Sequence, residues 1–280
     1  MTEESPMTTV SPSSLNRSNN GSSSNWLKCT FSVVAFCAIV FFVASISKET
    51  SDPAIVQEMT DHSDSSETLV KTAGGASSGH LSKGSVNGIP YYHCASHTPN
   101  RDIILLHGAK FTKEDWKEST IMPRLCAHGH VSVTALDLPV TANAKTLQGL
   151  LKGMAMGEGL LQPDGNYVVV TPSASGHTMV DWINTGDLDE LTEQVGLWIP
   201  IASPAIAKAQ VDKLQTLKEK SWPILALYGD QDTRGKKLSE QLQTHAGARV
   251  KEFAGPHAFY FDIAEVFSKY FLSELGGSSG

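Results

Sequence analysis

Short runs of apolar residues recur between positions 86 and 275 of this 280-residue chain, separated by longer segments that mix apolar and polar positions. The runs lie in DIILLHG (102–108), VSVTALD (131–137), YVVVTPS (167–173), GLWIPIAS (196–203), PILALYGD (223–230) and ARVKEFAG (248–255). Consecutive apolar positions are typical of strands that are buried on both faces, as in a parallel sheet between layers of helices. In the segments between these runs, apolar residues recur at the three- and four-residue spacing of a helix instead. They are Leu147, Leu150, Leu151 and Met154 in one segment and Val211, Leu214 and Leu217 in another. The pattern therefore predicts an α/β domain with a mostly parallel sheet flanked by helices.

The first 85 residues show no such alternation. Residues 1–25 are rich in Ser, Thr and Asn and have no hydrophobic period, which predicts a disordered tail because little apolar surface offsets the entropy of ordering. From Cys29 to Ile46 the chain carries no charge, and a helix of that length spans about 27 Å, close to the thickness of a bilayer core. We expect a transmembrane signal anchor at 26–47, a flexible stalk at 48–85, the α/β domain at 86–275 and a flexible tail at 276–280.

The apolar segment leaves its processing and its orientation open. Small residues at positions 45 and 47 make a cleaved signal peptide the alternative to a retained anchor. Arg17 and Lys28 precede the segment and only Lys48 follows closely, which favours a single-pass type II protein with a lumenal or extracellular domain. A domain that faces the cytosol is the alternative, since the glycosylation sequons precede the segment.

Charge and motif content exclude several classes of function. A net charge of −7 and an isoelectric point near 5.8 give no basic surface for nucleic acid. No glycine-rich phosphate motif follows a predicted strand, so no nucleotide cofactor is expected. No set of His, Cys, Asp or Glu has the spacing of a metal site. Cys94 and Cys126 lie in the domain, and we favour two free buried thiols over the alternative, a disulfide between them.

Residues with catalytic chemistry follow three of the predicted strands. Ser173 ends VVVTPS, Asp232 lies in GDQD, and His257 lies in GPH after the last predicted strand. Because the carboxyl ends of parallel strands meet at one edge of a sheet, we expect these side chains to lie together. Acyl transfer needs a hydroxyl, a base that takes its proton and an acid that orients the base, and Ser, Asp, His is one known chain order.

Two choices remain within these motifs. Ser173 is favoured over Ser175 as the nucleophile, because a tight strand-to-helix turn needs small residues on either side and His177 occupies one of those positions for Ser175. The backbone N–H of Ala174 then points toward the developing oxyanion. Asp230 is the alternative to Asp232 as the acid, and we favour Asp232 because the second carboxylate has more reach beyond the strand.

Other polar residues near these motifs have structural interpretations. We expect His107 to bond loop backbone and His177 to be a spectator or a residue of the pocket rim. A group of acidic residues is expected to form a solvated face, namely Asp187, Asp189, Glu190 and Glu193.

Five stretches occur in order at α/β spacing: LLHGAKFTKEDWKE, LDLP, TPSASG, LYGDQD and AGPHAFYFD. Together they resemble the α/β-hydrolase superfamily, most of all its abhydrolase-domain-containing 14 (ABHD14) group, one branch of which carries an N-terminal membrane segment. The resemblance implies the α/β-hydrolase fold, with Ser173 as nucleophile, His257 as general base and Asp232 as the orienting acid. It also implies a second backbone oxyanion donor in the loop after LLHG, at Ala109 or Lys110.

The chain departs from that pattern at two places. Thr171 stands where glycine is commonest, and VTANAK follows LDLP where the group has glycines. Only about 20 residues separate Ser203 from Pro223, which leaves no room for a lid, so we expect an open site and a short acyl group.

The sequence thus predicts a serine hydrolase or acyltransferase that acts on short acyl esters, thioesters or acylated amines, on small molecules or on proteins. The alternative is a catalytically silent, membrane-tethered interaction protein that keeps the fold.

Overall fold

A computed structural model describes residues 80–96 and 99–276, all within the compact unit Val70–Gly280. The strands are β1 (Leu81–Val86), β2 (Ile89–Cys94), β3 (Arg101–Leu105), β4 (Val131–Leu136), β5 (Tyr167–Pro172), β6 (Val195–Ile201), β7 (Leu225–Gly229) and β8 (Arg249–Phe253). The helices are α1 (Lys113–Glu118), α2 (Ile121–Cys126), α3 (Ala144–Lys152), α4 (Gly176–Thr185), α5 (Leu188–Gln194), α6 (Val211–Glu219), α7 (Thr233–Ala246), α8 (Phe259–Asp262) and α9 (Ala264–Gly276).

One eight-stranded sheet has the order β1-β2-β4-β3-β5-β6-β7-β8. The pairs of β2 with β1 and with β4 are antiparallel, and every other pair is parallel. The carboxyl ends of β3 to β8 therefore lie along one edge. The predicted parallel sheet with flanking helices is confirmed.

Side chains that alternate along the strands build a core on each face of the sheet. On β5, Val169 packs in a core with residues of α3, α4, α6 and α7. Its neighbours Val168 and Val170 point the other way, into a core with residues of α2 and α9. Both faces are covered, which explains why the central strands read as continuous apolar runs.

The helical periods were mostly correct. Leu147, Leu150, Leu151 and Met154 are all buried on α3 and on the π-helical turn that follows it. Leu214 and Leu217 are buried on α6. Val211, the first residue of α6, is 42% exposed.

The first hairpin was missed in the sequence. Residues 81–85, which we assigned to the stalk, form β1, so the folded domain begins at least as early as Leu81. Asn87 and Gly88 connect β1 to β2 with φ of 51° and 77°. Asn-Gly is the preferred pair for a two-residue hairpin, because both residues tolerate positive φ.

The cysteine prediction was wrong. Cys94 and Cys126 form a disulfide, with their Cα atoms 6.1 Å apart. Cys94 ends β2, and Cys126 ends α2, which packs on β4, the neighbour of β2 in the sheet. The bond therefore ties an antiparallel strand to a helix that covers the sheet.

The predicted disordered tail at 1–25, the membrane segment at 26–47 and the stalk up to residue 79 lie outside the described residues, as do residues 277–280. Among the helices that the structure describes, none has the length and apolar character needed to cross a bilayer.

Candidate active site

Ser173 lies where β5 turns sharply into α4. Its φ is +50°, in the left-handed region that a residue with a side chain adopts only at a cost in energy. A 3₁₀ turn at Ser173–Ser175 follows at once and leads into α4. The hydroxyl-bearing residue is half-buried and lines a cavity at the carboxyl edge of the sheet.

Packing around this turn explains why small residues surround Ser173. A Cβ on Gly176 would collide with the Ser203 side chain, so the start of α4 approaches the end of β6 as only glycine permits. Thr171 fits where glycine was expected, because its Oγ1 accepts a hydrogen bond of 2.8 Å from the Trp198 indole. Ser175 is buried, and its hydroxyl donates to the Pro172 carbonyl oxygen at 2.8 Å. Ser175 therefore does not line the cavity, whereas Ser173 does.

Asp232 and His257 meet at the same cavity. Asp232 is the N-cap of α7, after β7, and His257 lies in the loop after β8. The His257 Nδ1 and the Asp232 Oδ2 atoms are 2.5 Å apart. The carboxylate side chain is only 12% exposed, whereas the imidazole is 49% exposed. This leaves the His257 Nε2 atom as the ring nitrogen that does not contact Asp232.

The Asp232 carboxyl is held in its ionised form. Burial alone would raise its pKa, but hydrogen bonds from the Gly235 N–H and from His257 hold the pKa below its ordinary value. An ionised carboxylate accepts from His257 Nδ1–H, which fixes the ring tautomer that carries a lone pair on Nε2.

Asp230 has a different partner. Its Oδ1 accepts from the Gly255 N–H at 2.9 Å, and its own N–H donates to the Phe253 carbonyl oxygen at 2.7 Å. A Cβ on Gly229 would collide with the carbonyl oxygens of Gly255 and Pro256, so this turn lies directly against the loop that carries His257. Asp230 thus anchors that loop, and Asp232 contacts the imidazole.

The cavity has a volume of about 280 Å³. Besides Ser173, Asp232 and His257 it is lined by Ala202, Pro204, Gly235 and Arg234. Sequence reasoning missed these four. Ala202 could have been predicted from the sequence, because it follows the end of β6 at the same edge of the sheet. Its φ of 48° makes it a second strained residue beside the site.

The proposed oxyanion donors lie in the turn at Ser173 and in the loop after β3. Ala174 is the second residue of the 3₁₀ turn at Ser173–Ser175, where backbone N–H groups have no helical acceptor. A Cβ on Gly108 would lie 3.5 Å from Ser173 Cβ, so the loop after β3 passes beside the nucleophile. Ala109 is exposed and does not line the cavity. The roles of Ala109 and Ala174 stay predictions.

A polar cluster that the sequence did not predict holds the loop after β3. The Lys113 N–H donates to Asp137 Oδ1 at 2.7 Å, and its Nζ donates to Asp137 Oδ2 at 2.8 Å. Burial would lower the pKa of the Lys113 ammonium, but Asp137 and Glu114 raise it above its ordinary value. The Tyr92 hydroxyl also donates to Glu114, at 2.9 Å. Asp137 comes from LDLP after β4, so two strand ends are joined here.

The remaining polar predictions have clear outcomes. His107 Nδ1 lies 3.0 Å from the Gly108 carbonyl oxygen, so this ring bonds loop backbone as expected. The loop VTANAK is fixed to α4, since the Thr178 hydroxyl donates to the Ala142 carbonyl oxygen and the Ala144 N–H donates to Asp181. The four acidic residues of the predicted solvated face are all exposed: Asp187, Asp189, Glu190 and Glu193. Within residues 80–96 and 99–276 no cluster of His, Cys, Asp and Glu could hold a metal ion.

Comparison with known proteins gives relatives of low identity. Zebrafish ABHD14A is 29% identical over 191 residues, which are 63% of this chain and 65% of the zebrafish protein. Human ABHD14B, provisionally named a protein-lysine deacylase, is 28% identical over 183 residues, 62% of this chain and 83% of its own. The alignment thus spans just under two thirds of the zebrafish ABHD14A protein. No model of a known protein family matches the chain.

Solved structures show the fold directly. A predicted CIB-like hydrolase from Thermoplasma acidophilum superposes with a TM-score of 0.54 at 20% identity, over 70% of this chain and 98% of that protein. The chain has the α/β-hydrolase fold. A dienelactone hydrolase from Anabaena variabilis superposes with a TM-score of 0.53 at 13% identity, over 69% of this chain and 96% of its own. In sequence the chain is similar to ABHD14 proteins.

Proposed function

We propose that this α/β-hydrolase is a serine hydrolase or acyltransferase that acts on short acyl esters, thioesters or acylated amines. The observation that carries the proposal is the Asp232–His257 hydrogen bond of 2.5 Å at the cavity that Ser173 also lines. An ionised acid, an oriented imidazole and a serine on a strained turn are the parts that acyl transfer through an acyl-enzyme requires.

In this mechanism the Ser173 hydroxyl attacks the substrate carbonyl, and His257 Nε2 takes its proton. Asp232 keeps the Nδ1–H tautomer and stabilises the imidazolium that forms. His257 then gives the proton to the leaving alcohol, thiol or amine, and an acyl-serine ester remains. Water or another acceptor attacks that ester with His257 as base, and the serine hydroxyl is restored.

The negative charge on the tetrahedral intermediate needs donors that are already in position. The backbone N–H of Ala174 and an N–H from the loop after β3, at Ala109 or Lys110, are our candidates. The Lys113–Asp137 ion pair supports this assignment, because it holds the loop without help from the substrate.

The substrate class follows from the size of the site. The connection from β6 to β7 holds only a 3₁₀ turn at Pro204–Lys208 and α6, so this connection contributes no lid domain. The lining residues Ala202, Pro204 and Gly235 are small, which suits a short acyl group. The name of human ABHD14B supports acylated lysine as one substrate to test.

Turnover of a butyryl thioester by the full chain tests the proposal. We expect Ser173→Ala to lower kcat/KM by at least about 10³-fold, because the covalent intermediate is lost. Ser175→Ala is the matched control and should keep the activity. A wild-type chain without turnover, or a Ser173→Ala variant with full turnover, would contradict the proposal, and the first result would support the catalytically silent alternative.

We also propose that residues 26–47 anchor the chain in a membrane and that the hydrolase domain is lumenal or extracellular. The uncharged run from Cys29 to Ile46 supports the anchor. The Cys94–Cys126 disulfide supports the orientation, because disulfides persist in oxidising compartments. Protease added to sealed microsomes should leave the domain intact until detergent is added, and digestion without detergent would contradict this orientation.

A further inference from the structure

One cation lines the cavity. Arg234 lies on the first turn of α7, two residues after Asp232. Its backbone N–H helps to stabilise the Asp232 carboxylate. The residue is exposed, so its guanidinium is accessible to a ligand that enters the cavity.

In the part of the chain that the structure describes, the Arg234 guanidinium has no counter-ion. The cavity's carboxylate, Asp232, accepts hydrogen bonds from His257 and from the Gly235 N–H. Across residues 80–96 and 99–276, Arg234 forms no ion pair with a carboxylate. Asp230 is close in sequence, but its Oδ1 bonds Gly255 and it does not line the cavity.

A guanidinium is suited to one kind of ligand group. Its planar fork of N–H donors matches the two oxygens of a carboxylate and forms two parallel hydrogen bonds with it. The other lining residues that do not belong to the proposed catalytic set, Ala202, Pro204 and Gly235, are small and carry no charge. The cavity thus offers a small apolar wall for carbon atoms and one positive group for an anion.

We infer that Arg234 binds a carboxylate of the substrate, and that the site prefers short acyl groups that end in a carboxylate, of the succinyl or glutaryl class. This inference rests on the proposed function, because it places the scissile carbonyl at Ser173. Ser173 and Arg234 line the same cavity of about 280 Å³, so short diacid chains of four or five carbons are the first to test.

The free carboxylate of the substrate does not change the chemistry of acyl transfer to Ser173. The Ser173 Oγ–carbon bond forms as the carbon–sulfur bond of a thioester breaks, and the thiol leaves with the proton carried by His257. Water then releases the free diacid and restores the serine. The carboxylate bound by Arg234 takes no part in bond making, so Arg234 determines specificity without donating or accepting a proton.

The test compares S-succinyl and S-butyryl N-acetylcysteamine, which share a leaving group and a four-carbon acyl chain. A third thioester, S-butyryl 3-mercaptopropionate, carries its carboxylate on the leaving group instead. Each rate is measured with the full chain and corrected with Ser173→Ala, because succinyl thioesters also hydrolyse spontaneously. The readout is the ratio of kcat/KM between an anionic and a neutral thioester, which cancels any general change in the catalytic groups.

We expect the wild-type chain to prefer the succinyl thioester over the butyryl thioester by about three- to tenfold, the range for a charge-assisted contact that is partly exposed. Arg234→Gln should bring the ratio close to one, and Arg234→Glu should bring it below one. Lys236→Gln removes the same charge from an exposed residue of α7 that does not line the cavity, and it should keep the wild-type ratio. Preference for the succinyl thioester supports the inference, and preference for the mercaptopropionate thioester would contradict it, because the bound carboxylate would then lie on the leaving-group side.

Two other outcomes would overturn the inference in different ways. Ser173-dependent turnover with a ratio near one, or with the same ratio in Arg234→Gln as in the wild type, removes the role of Arg234 and leaves the proposed function standing. A wild-type chain with no Ser173-dependent turnover of any of the three thioesters removes both.

Discussion

The two halves of the sheet differ in what their polar groups do. In the N-terminal half, residues 81–137, polar and covalent contacts join structural elements: the Cys94–Cys126 disulfide, the Lys113–Asp137 ion pair and the His93–Thr134 hydrogen bond. In the C-terminal half, from β5 onward, Ser173 and Ala202 have positive φ, and the imidazole of His257 is half exposed. Apart from the proposed oxyanion donor in the loop after β3, the polar groups named in the N-terminal half stabilise the fold, whereas the C-terminal half holds Ser173, Asp232 and His257, the groups of our proposed mechanism. Changes in the second half should lower activity more than stability, and changes in the first should do the reverse.

The largest effect is expected at Asp232. Asp232→Asn keeps a cap for α7 but no longer holds the His257 tautomer, so kcat should fall by about 10³- to 10⁴-fold while the midpoint of urea unfolding changes little. Asp230→Asn is the matched control, because it alters the neighbouring carboxylate that bonds Gly255, and it should retain most of the activity. Equal losses in the two variants would refute the assignment of Asp232 as the orienting acid.

Removal of the Cys94–Cys126 disulfide should lower stability more than activity. Its cysteines are 32 residues apart, and a loop of that length predicts a loss of about 2–4 kcal/mol in the free energy of unfolding when the bond is removed. Urea denaturation of the double variant Cys94→Ala and Cys126→Ala measures this loss, and reduction of the wild-type chain should reproduce it. Thioester turnover below the unfolding transition should persist, and its disappearance there would show that the two halves are not independent.

His93 should make a smaller contribution to stability, and this contribution should depend on pH. Burial lowers the pKa of this imidazole to about 4 from an ordinary value of 6.5. The unfolded chain therefore binds a proton at His93 that the folded chain does not bind, so stability is full above pH 6.5 and is lost as the pH falls toward 4. The loss that His93 contributes is about 2–3 kcal/mol.

Urea unfolding at pH 7 and at pH 4.5 isolates this contribution. His93→Gln removes the titrating group, so its stability should change less with pH than that of the wild type. His128→Gln changes an exposed histidine and should leave the pH dependence unaltered. An unaltered pH dependence in His93→Gln would mean that other groups carry the acid sensitivity.

Much of the fold was predictable because its signals are local. Buried parallel strands are continuous apolar runs, and residues such as Ser173, Asp232 and His257 follow strand ends whose position is set by the sheet. The β1–β2 hairpin was missed because LSKGS has few residues of high strand propensity, although Asn87-Gly88 is a strong turn signal.

The remaining features depend on contacts between distant parts of the chain. The Cys94–Cys126 pairing follows from the packing of α2 on β4, which no spacing reveals. The Lys113–Asp137 pair joins the loop after one strand to the end of another. Arg234 lines the cavity only because α7 starts at its rim. In each case the contact forms only in the tertiary structure.

The most direct test of the account is to find which residue a fluorophosphonate probe modifies. Mass mapping of the full chain should place one adduct on Ser173 in the wild type and in Ser175→Ala, and none in Ser173→Ala, since only Ser173 has both the strained turn and the cavity beside the Asp232–His257 pair. An adduct at another residue, or a folded wild-type chain that stays unmodified, would contradict the claim that these three residues act as one catalytic unit.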